Sequence, residues 1–79
     1  MMQFVATFYT HLSALMTHRA LENSGISARM APVPRVLSSS CGTCVFYTAA
    51  DHCPSLLDED TEAVYAEIEG KYQVIQKSN

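Results

Sequence analysis

An apolar period that switches from two to 3.6 and back to two within the first 31 residues constrains this chain more than any other feature in it. Gln3 to Tyr9 alternates, with Phe4, Ala6 and Phe8 on one side and Val5, Thr7 and Tyr9 on the other, and its strand-forming residues predict a first strand. Thr10 is placed to cap a helix through Leu12, Ala14, Leu15, Met16, Ala20 and Leu21, which stops near Asn23-Ser24-Gly25. Ile26 to Ala31 alternates again as a short second strand, and Pro32 and Pro34 end it because neither can donate a ladder hydrogen bond. A right-handed crossover makes those two strands parallel. The end of strand one, the start of helix one and the Pro32 to Gly42 loop are then expected at one end of the sheet.

The second half is less regular. Thr43 to Thr48, with Val45, Phe46, Tyr47 and two threonines, predicts a third strand, while Ala49 to Leu57 has no firm period. Asp58 to Glu69 carries acidic residues in its first turn and Ala63, Val64, Tyr65 and Ile68 at helical spacing, so a second helix is expected from about Asp58, ended by Gly70. Tyr72 to Gln76 reads as the last strand. The order strand, helix, strand, strand, helix, strand predicts an α+β, ferredoxin-like βαββαβ domain spanning residues 1–79, a four-stranded antiparallel sheet with both helices on one face. Helix two would finish at the loop's end of that sheet and bring Lys71 within its reach.

With 48% hydrophobic and only 16% charged residues the chain is too apolar for a disordered tail, so it should fold. Five basic against eight acidic side chains, a net charge of -3, argue against a nucleic-acid module; Arg19, Arg29, Arg35, Lys71 and Lys77 are scattered, without aromatic interleaving. No stretch approaches the roughly 20 apolar residues of a membrane span. The first basic residue is Arg19, too late for a signal peptide's charged start, so a cytoplasmic location is the expectation. Three cysteines, an odd number, suggest free or reactive thiols rather than a disulfide framework. At 79 residues a single core has a thin stability margin, which leaves room for a homodimer or a docking partner.

Reactive chemistry concentrates at Cys41-Gly42-Thr43-Cys44, entered through Ser38-Ser39-Ser40 and Pro32-Val33-Pro34-Arg35. A thiol followed by Gly has an unhindered approach. Arg35 and the backbone N–H groups of Ser39, Ser40 and Gly42 are candidate donors to a thiolate or bound anion, near the helix-one N-terminus. The plainer reading of Cys41 is a small residue packed at a tight turn. Cys44 offers a different class of function, a dithiol redox pair or half a metal site. On an extended segment residues three apart face opposite ways with alpha carbons about 10 Å apart, so only a turn at Gly42 would bring the thiols together. Zinc would further need Cys53, His52 or His11 to converge. No metal or cofactor is assigned. His11, at the top of helix one, is a candidate for proton transfer near Cys41. The acidic run Asp58, Glu59, Asp60 and Glu62 suits a helix N-terminus better than a calcium loop. No catalytic carboxylate pair, Ser-His-Asp pattern or glycine-rich phosphate loop is visible, so stand-alone catalysis is not expected; a domain that only binds is a third reading.

The run Pro32-Val33-Pro34-Arg35-Val36-Leu37-Ser38-Ser39-Ser40-Cys41-Gly42, following a strand-helix-strand unit with Thr10-His11 and Ala14-Leu15 at the helix start, resembles the selenium/sulfur carrier-like family. Its members are short bacterial domains in which a Pro-x-Pro-Arg element runs into Ser-Ser-Ser-Cys-Gly, and the likeness covers most of Gln3 to Tyr47. The resemblance implies a carrier or accessory protein that holds sulfur or selenium on Cys41 as a persulfide-type adduct, between a donor and an acceptor protein. The chain departs from the pattern at Cys44, where the family has a small or apolar residue, and in the longer Ala49 to Asp60 stretch.

Overall fold

The alternating residues of β1 (Met2–Phe8) lie at the centre of a five-stranded antiparallel sheet in the computed structural model, which describes residues 1–78. Val5, Ala6, Thr7 and Phe8 have no exposed surface, as expected of a central strand covered on both sides. Thr10 then caps α1 (His11–Asn23): its backbone is extended and its hydroxyl accepts the Ser13 N–H at 3.1 Å. Gly25, at φ 79, ends α1, with the Gly25 and Ile26 N–H groups returning to the carbonyls of Glu22 and Leu21.

The chain continues through β2 (Ala28–Pro32), β3 (Thr43–Ala49), a 3-10 turn (Pro54–Leu56), β4 (Thr61–Ile68) and β5 (Lys71–Lys77). The sheet order is β2-β3-β1-β4-β5. Because β3 is antiparallel to both β1 and β2, those two strands run the same way, and the end of β1 lies beside the start of β3. Phe4, Ala6, Phe8, Val45, Tyr47, Val64 and Ala66 form the core with Ala14 and Leu21 of α1. The intervening strand residues, among them Val5, Thr7, Cys44, Phe46 and Tyr65, face away from the helix.

The expected ferredoxin-like βαββαβ arrangement is overturned: among the described residues there is one α-helix, and five strands rather than four. The predicted helix from Asp58 to Glu69 is β4 and the turn after it. Asp58 is consumed by other partners. Its carboxylate accepts the Ser13 hydroxyl at 2.8 Å and the Asp60 N–H at 3.2 Å, and its N–H donates to Thr17 Oγ1 at 3.0 Å. Its carbonyl accepts both the hydroxyl and the N–H of Thr61, closing a tight turn instead of a first helical turn. Beyond it, β4 pairs along both edges, with β1 from Gln3↔Glu67 to Phe8↔Thr61 and with β5 from Ile68↔Lys71 to Ala63↔Lys77. Gly70, read as a helix stop, is the second central residue of a two-residue hairpin in which Glu69 (φ 53) and Gly70 (φ 77) both have positive φ, the requirement of a type I′ turn.

Candidate functional site

The segment between β2 and β3 is held against the end of β1 and the start of β4. Pro34 and Leu37 close a turn through a 3.0 Å N–H to carbonyl bond, and Val33 N–H donates to the Gly42 carbonyl at 3.1 Å, pinching the loop at its base. The Ser39 hydroxyl donates to the Phe8 carbonyl at 3.1 Å, the last of β1. Ser40 donates twice to one carboxylate: its N–H to Glu62 Oε1 at 3.0 Å and its hydroxyl to Glu62 Oε2 at 3.3 Å. These bonds fix the approach to Cys41, whose half-buried side chain packs against the helix-side core and whose thiol donates to the Thr43 carbonyl at 3.4 Å. Gly42 follows at φ 75, with no atom within 4 Å of where a Cβ would stand, so the backbone beside the thiol is open to an incoming group.

Arg35 is exposed and has no ion pair or hydrogen bond among the described residues. The Ser40 N–H, expected as a donor to an anion, is already held by Glu62; Ser39 contributes its hydroxyl to Phe8 instead. His11, exposed at the first position of α1, has Nδ1 3.4 Å from the Thr43 hydroxyl, which sets it at the same end of the sheet as Cys41. Lys71 begins β5 rather than following a second helix, and lines a cavity of about 270 Å³ with Val36, Leu37, Gly70 and Tyr72.

Cys44 lies on the opposite side of the sheet from Cys41. It pairs with Thr7 and Ala31 on the face away from α1, is fully buried, and donates its thiol to the Pro32 carbonyl at 3.7 Å. Burial pushes that thiol up to about 11, against a smaller opposing pull from the Arg29 charge. All three cysteines are free. Cys53 sits in the link after β3 with φ 54; burial, the hydrogen bond to Asp51 and the Asp51 charge all raise its thiol. His52 bonds Gln76 Oε1 at 3.2 Å and its ring tilts against Phe4. Among the described residues no three His, Cys, Asp or Glu side chains converge as a metal site would need. No helix among them is long and apolar enough to cross a membrane.

Glu62 is the contact that the sequence did not disclose. It lies 22 residues from Ser40, and in an acidic run it looks like a solvated helix start. Its place comes from a bulge: Thr7 pairs with Ala63 and Phe8 with Thr61, leaving Glu62 as the extra residue of β4.

A half-buried Cys41 thiol on a glycine-flanked turn, fastened to the end of an antiparallel sheet, is the candidate site of this small α+β domain; Cys53, in the link after β3, is half-buried as well. The sequence model of the family described as "Putative Se/S carrier protein-like" matches residues 3–76, and the chain belongs to that family. It is also 26% identical over 77 residues to the uncharacterized protein YtiA of Escherichia coli (strain K12), a match covering 95% of this chain and 91% of that protein. No solved structure matches the chain.

Proposed function

We propose that the protein carries sulfur or selenium on Cys41 between a donor and an acceptor protein. The observation that carries this reading is the open backbone at Gly42 beside a half-buried Cys41 thiol, in a chain of the carrier-like family. In the loading step the Cys41 thiolate attacks the outer sulfur of a donor persulfide. The donor's S–S bond breaks, the donor leaves as a thiolate that takes up the proton Cys41 lost, and Cys41 becomes a persulfide. Attack by an acceptor thiol on the outer sulfur repeats the exchange and restores the Cys41 thiol, so no net oxidant or reductant is consumed. Selenium would follow the same course from a selenium-bearing donor. Arg35, with no partner among the described residues, is available to meet an anionic adduct or an acidic donor surface.

Cys44 is not required. Its thiol is buried on the other face and held protonated, which makes it a poor nucleophile for a dithiol exchange with Cys41.

Intact-mass measurement of the reduced protein after incubation with a cysteine desulfurase and cysteine tests the reading. A thiol-reversible gain of one sulfur is expected in the natural protein and in Cys44→Ser, and none in Cys41→Ser. A loss of two hydrogens on mild oxidation that needs both Cys41 and Cys44, with no sulfur gain, would replace the carrier reading by a redox pair.

A further inference from the structure

The sheet face away from α1 carries a second arrangement that the carrier chemistry does not use. Strand register sets Arg29 of β2 beside Phe46 of β3, and Thr48 of β3 beside Gln3 of β1. The Arg29 guanidinium lies over the Phe46 ring, 4.3 Å from its centroid. Stacking of this kind holds the guanidinium plane while leaving its edge N–H groups free to donate. Next to it is a cavity of about 170 Å³ lined by Gln3, Ser27, Arg29, Phe46 and Thr48.

Of the polar side chains on residues of that lining, those of Gln3, Ser27, Arg29 and Thr48 have no hydrogen-bond partner among the described residues, while the Tyr47 hydroxyl donates to the His52 carbonyl at 2.6 Å and the Ser27 carbonyl is already taken by the Thr48 N–H at 3.3 Å. What the cavity offers is therefore a fixed cation, two hydroxyls and an amide. No carboxylate lines it. Glu67 stands opposite Gln3 on β4, but the order β2-β3-β1-β4 puts it three strands from Arg29, about 14 Å at the usual strand spacing. In a chain of net charge -3 a pocket that combines an unpaired guanidinium with neutral donors selects for negative charge on a small, oxygen-rich ligand.

We propose that Arg29, stacked on Phe46, together with Gln3, Ser27 and Thr48 forms a binding pocket for a small tetrahedral oxyanion of the phosphate or sulfate class. The guanidinium edge takes two oxygens as a fork, and the hydroxyls of Ser27 and Thr48 and the Gln3 amide take the others. Phe46 lies five residues along the chain from Cys41, about 16 Å if extended, so the pocket is separate from the thiol and stands or falls independently of the carrier reading.

Amide chemical shifts of the full ¹⁵N-labelled chain, followed while sodium phosphate or sodium sulfate replaces sodium chloride at constant ionic strength, test it. Saturable shifts confined to Gln3 and its neighbours in β1, Ser27–Met30 and Phe46–Thr48 are expected. Arg29→Lys, which keeps the charge but loses the fork, should weaken the affinity about tenfold, and Arg29→Gln should abolish saturation. Thr48→Val, an isostere at an exposed strand position, should weaken it a few-fold with the spectrum otherwise unchanged. Cys41→Ser should bind as the natural protein does. Shifts equal to those in chloride, or an unchanged affinity in a folded Arg29→Gln, would overturn the proposal.

Discussion

Cys41 and Cys44 are three residues apart, yet their surroundings give them opposite chemistry. Cys41 is half-buried beside an open glycine; Cys44 is sealed between Thr7 and Ala31 with its thiol pushed by burial from 9.0 to about 11. The folded protein keeps the Cys44 proton that the unfolded chain releases between those two values. The unfolded state therefore binds fewer protons there, and stability falls as pH rises through the window, the contribution being fully present below it. A loss of up to about 1.4 kcal/mol per pH unit is expected from this group. Urea denaturation between about pH 8 and about pH 11 should record the fall, and Cys44→Ala should flatten it. Flattening will be partial, because burial also raises Tyr47 and Cys53 and their ionisation acts with the same sign.

The Ser40–Glu62 clasp links residue to element. Two hydrogen bonds onto a carboxylate at the mouth of the loop are partly solvated, so Glu62→Gln should cost the whole fold less than about 1 kcal/mol. Locally it should matter more: the Ser40 amide is expected to exchange its hydrogen about tenfold faster, as the charge-assisted bond is replaced by a neutral one. An unchanged Ser40 exchange rate would mean that the Ser39–Phe8 and Val33–Gly42 bonds fix the loop without Glu62.

Among the elements, β4 separates local propensity from tertiary context. Thr61 to Ile68 presents Ala63, Val64 and Ala66 as a nearly continuous run of buried small residues, because β4 lies between β1 and β5 and its middle is covered on both faces. A continuous apolar run with acidic residues ahead of it also fits a helix, and period alone cannot separate the two. The turn was a further ambiguity. Glu69 at φ 53 is a poor choice for the first central position of a type I′ turn, where Asn or Asp is preferred, so the hairpin signal was weak. Glu69→Asn should stabilise the protein by about 0.5–1 kcal/mol, measured as an upward shift of its urea midpoint. Were β4 instead a helix stopped by Gly70, that substitution would give no gain.

For the whole molecule, the free edges of the sheet decide how it meets other copies of itself. β2 closes with Pro32, which has no N–H to offer. β5 carries Lys71 and Lys77 at its ends, and between Tyr65↔Val74 and Val64↔Gln76 it holds Ile75 as an extra residue, a bulge that twists the edge away from flat pairing. These devices oppose edge-to-edge extension even though Val74 and Ile75 are exposed. Sedimentation at micromolar concentration should therefore find a monomer, and deletion of Ile75, which regularises the edge, should raise the sedimenting mass with concentration. A natural protein that sediments as a dimer would place its interface somewhere other than these edges.

By itself the sequence determined the elements whose signals are local. The alternation of Gln3 to Tyr9, the Thr10 cap, the Gly25 stop, the strand before Pro32 and the strand after Gly42 all rest on φ/ψ preference or on a period read within one segment, and the structure holds each of them within about two residues. The cysteine turn was legible for the same reason, since Cys-Gly with its flanking serines and prolines is a local pattern. Only the tertiary structure decided that Asp58 closes a turn against Ser13 and Thr17, that residues 61–68 pair with β1 and β5 instead of coiling, and that Glu62 holds Ser40. All of those outcomes but the local β4–β5 hairpin depend on hydrogen bonds between groups far apart in the chain. Their free energy exists only once the sheet has formed, and no window of sequence contains both partners.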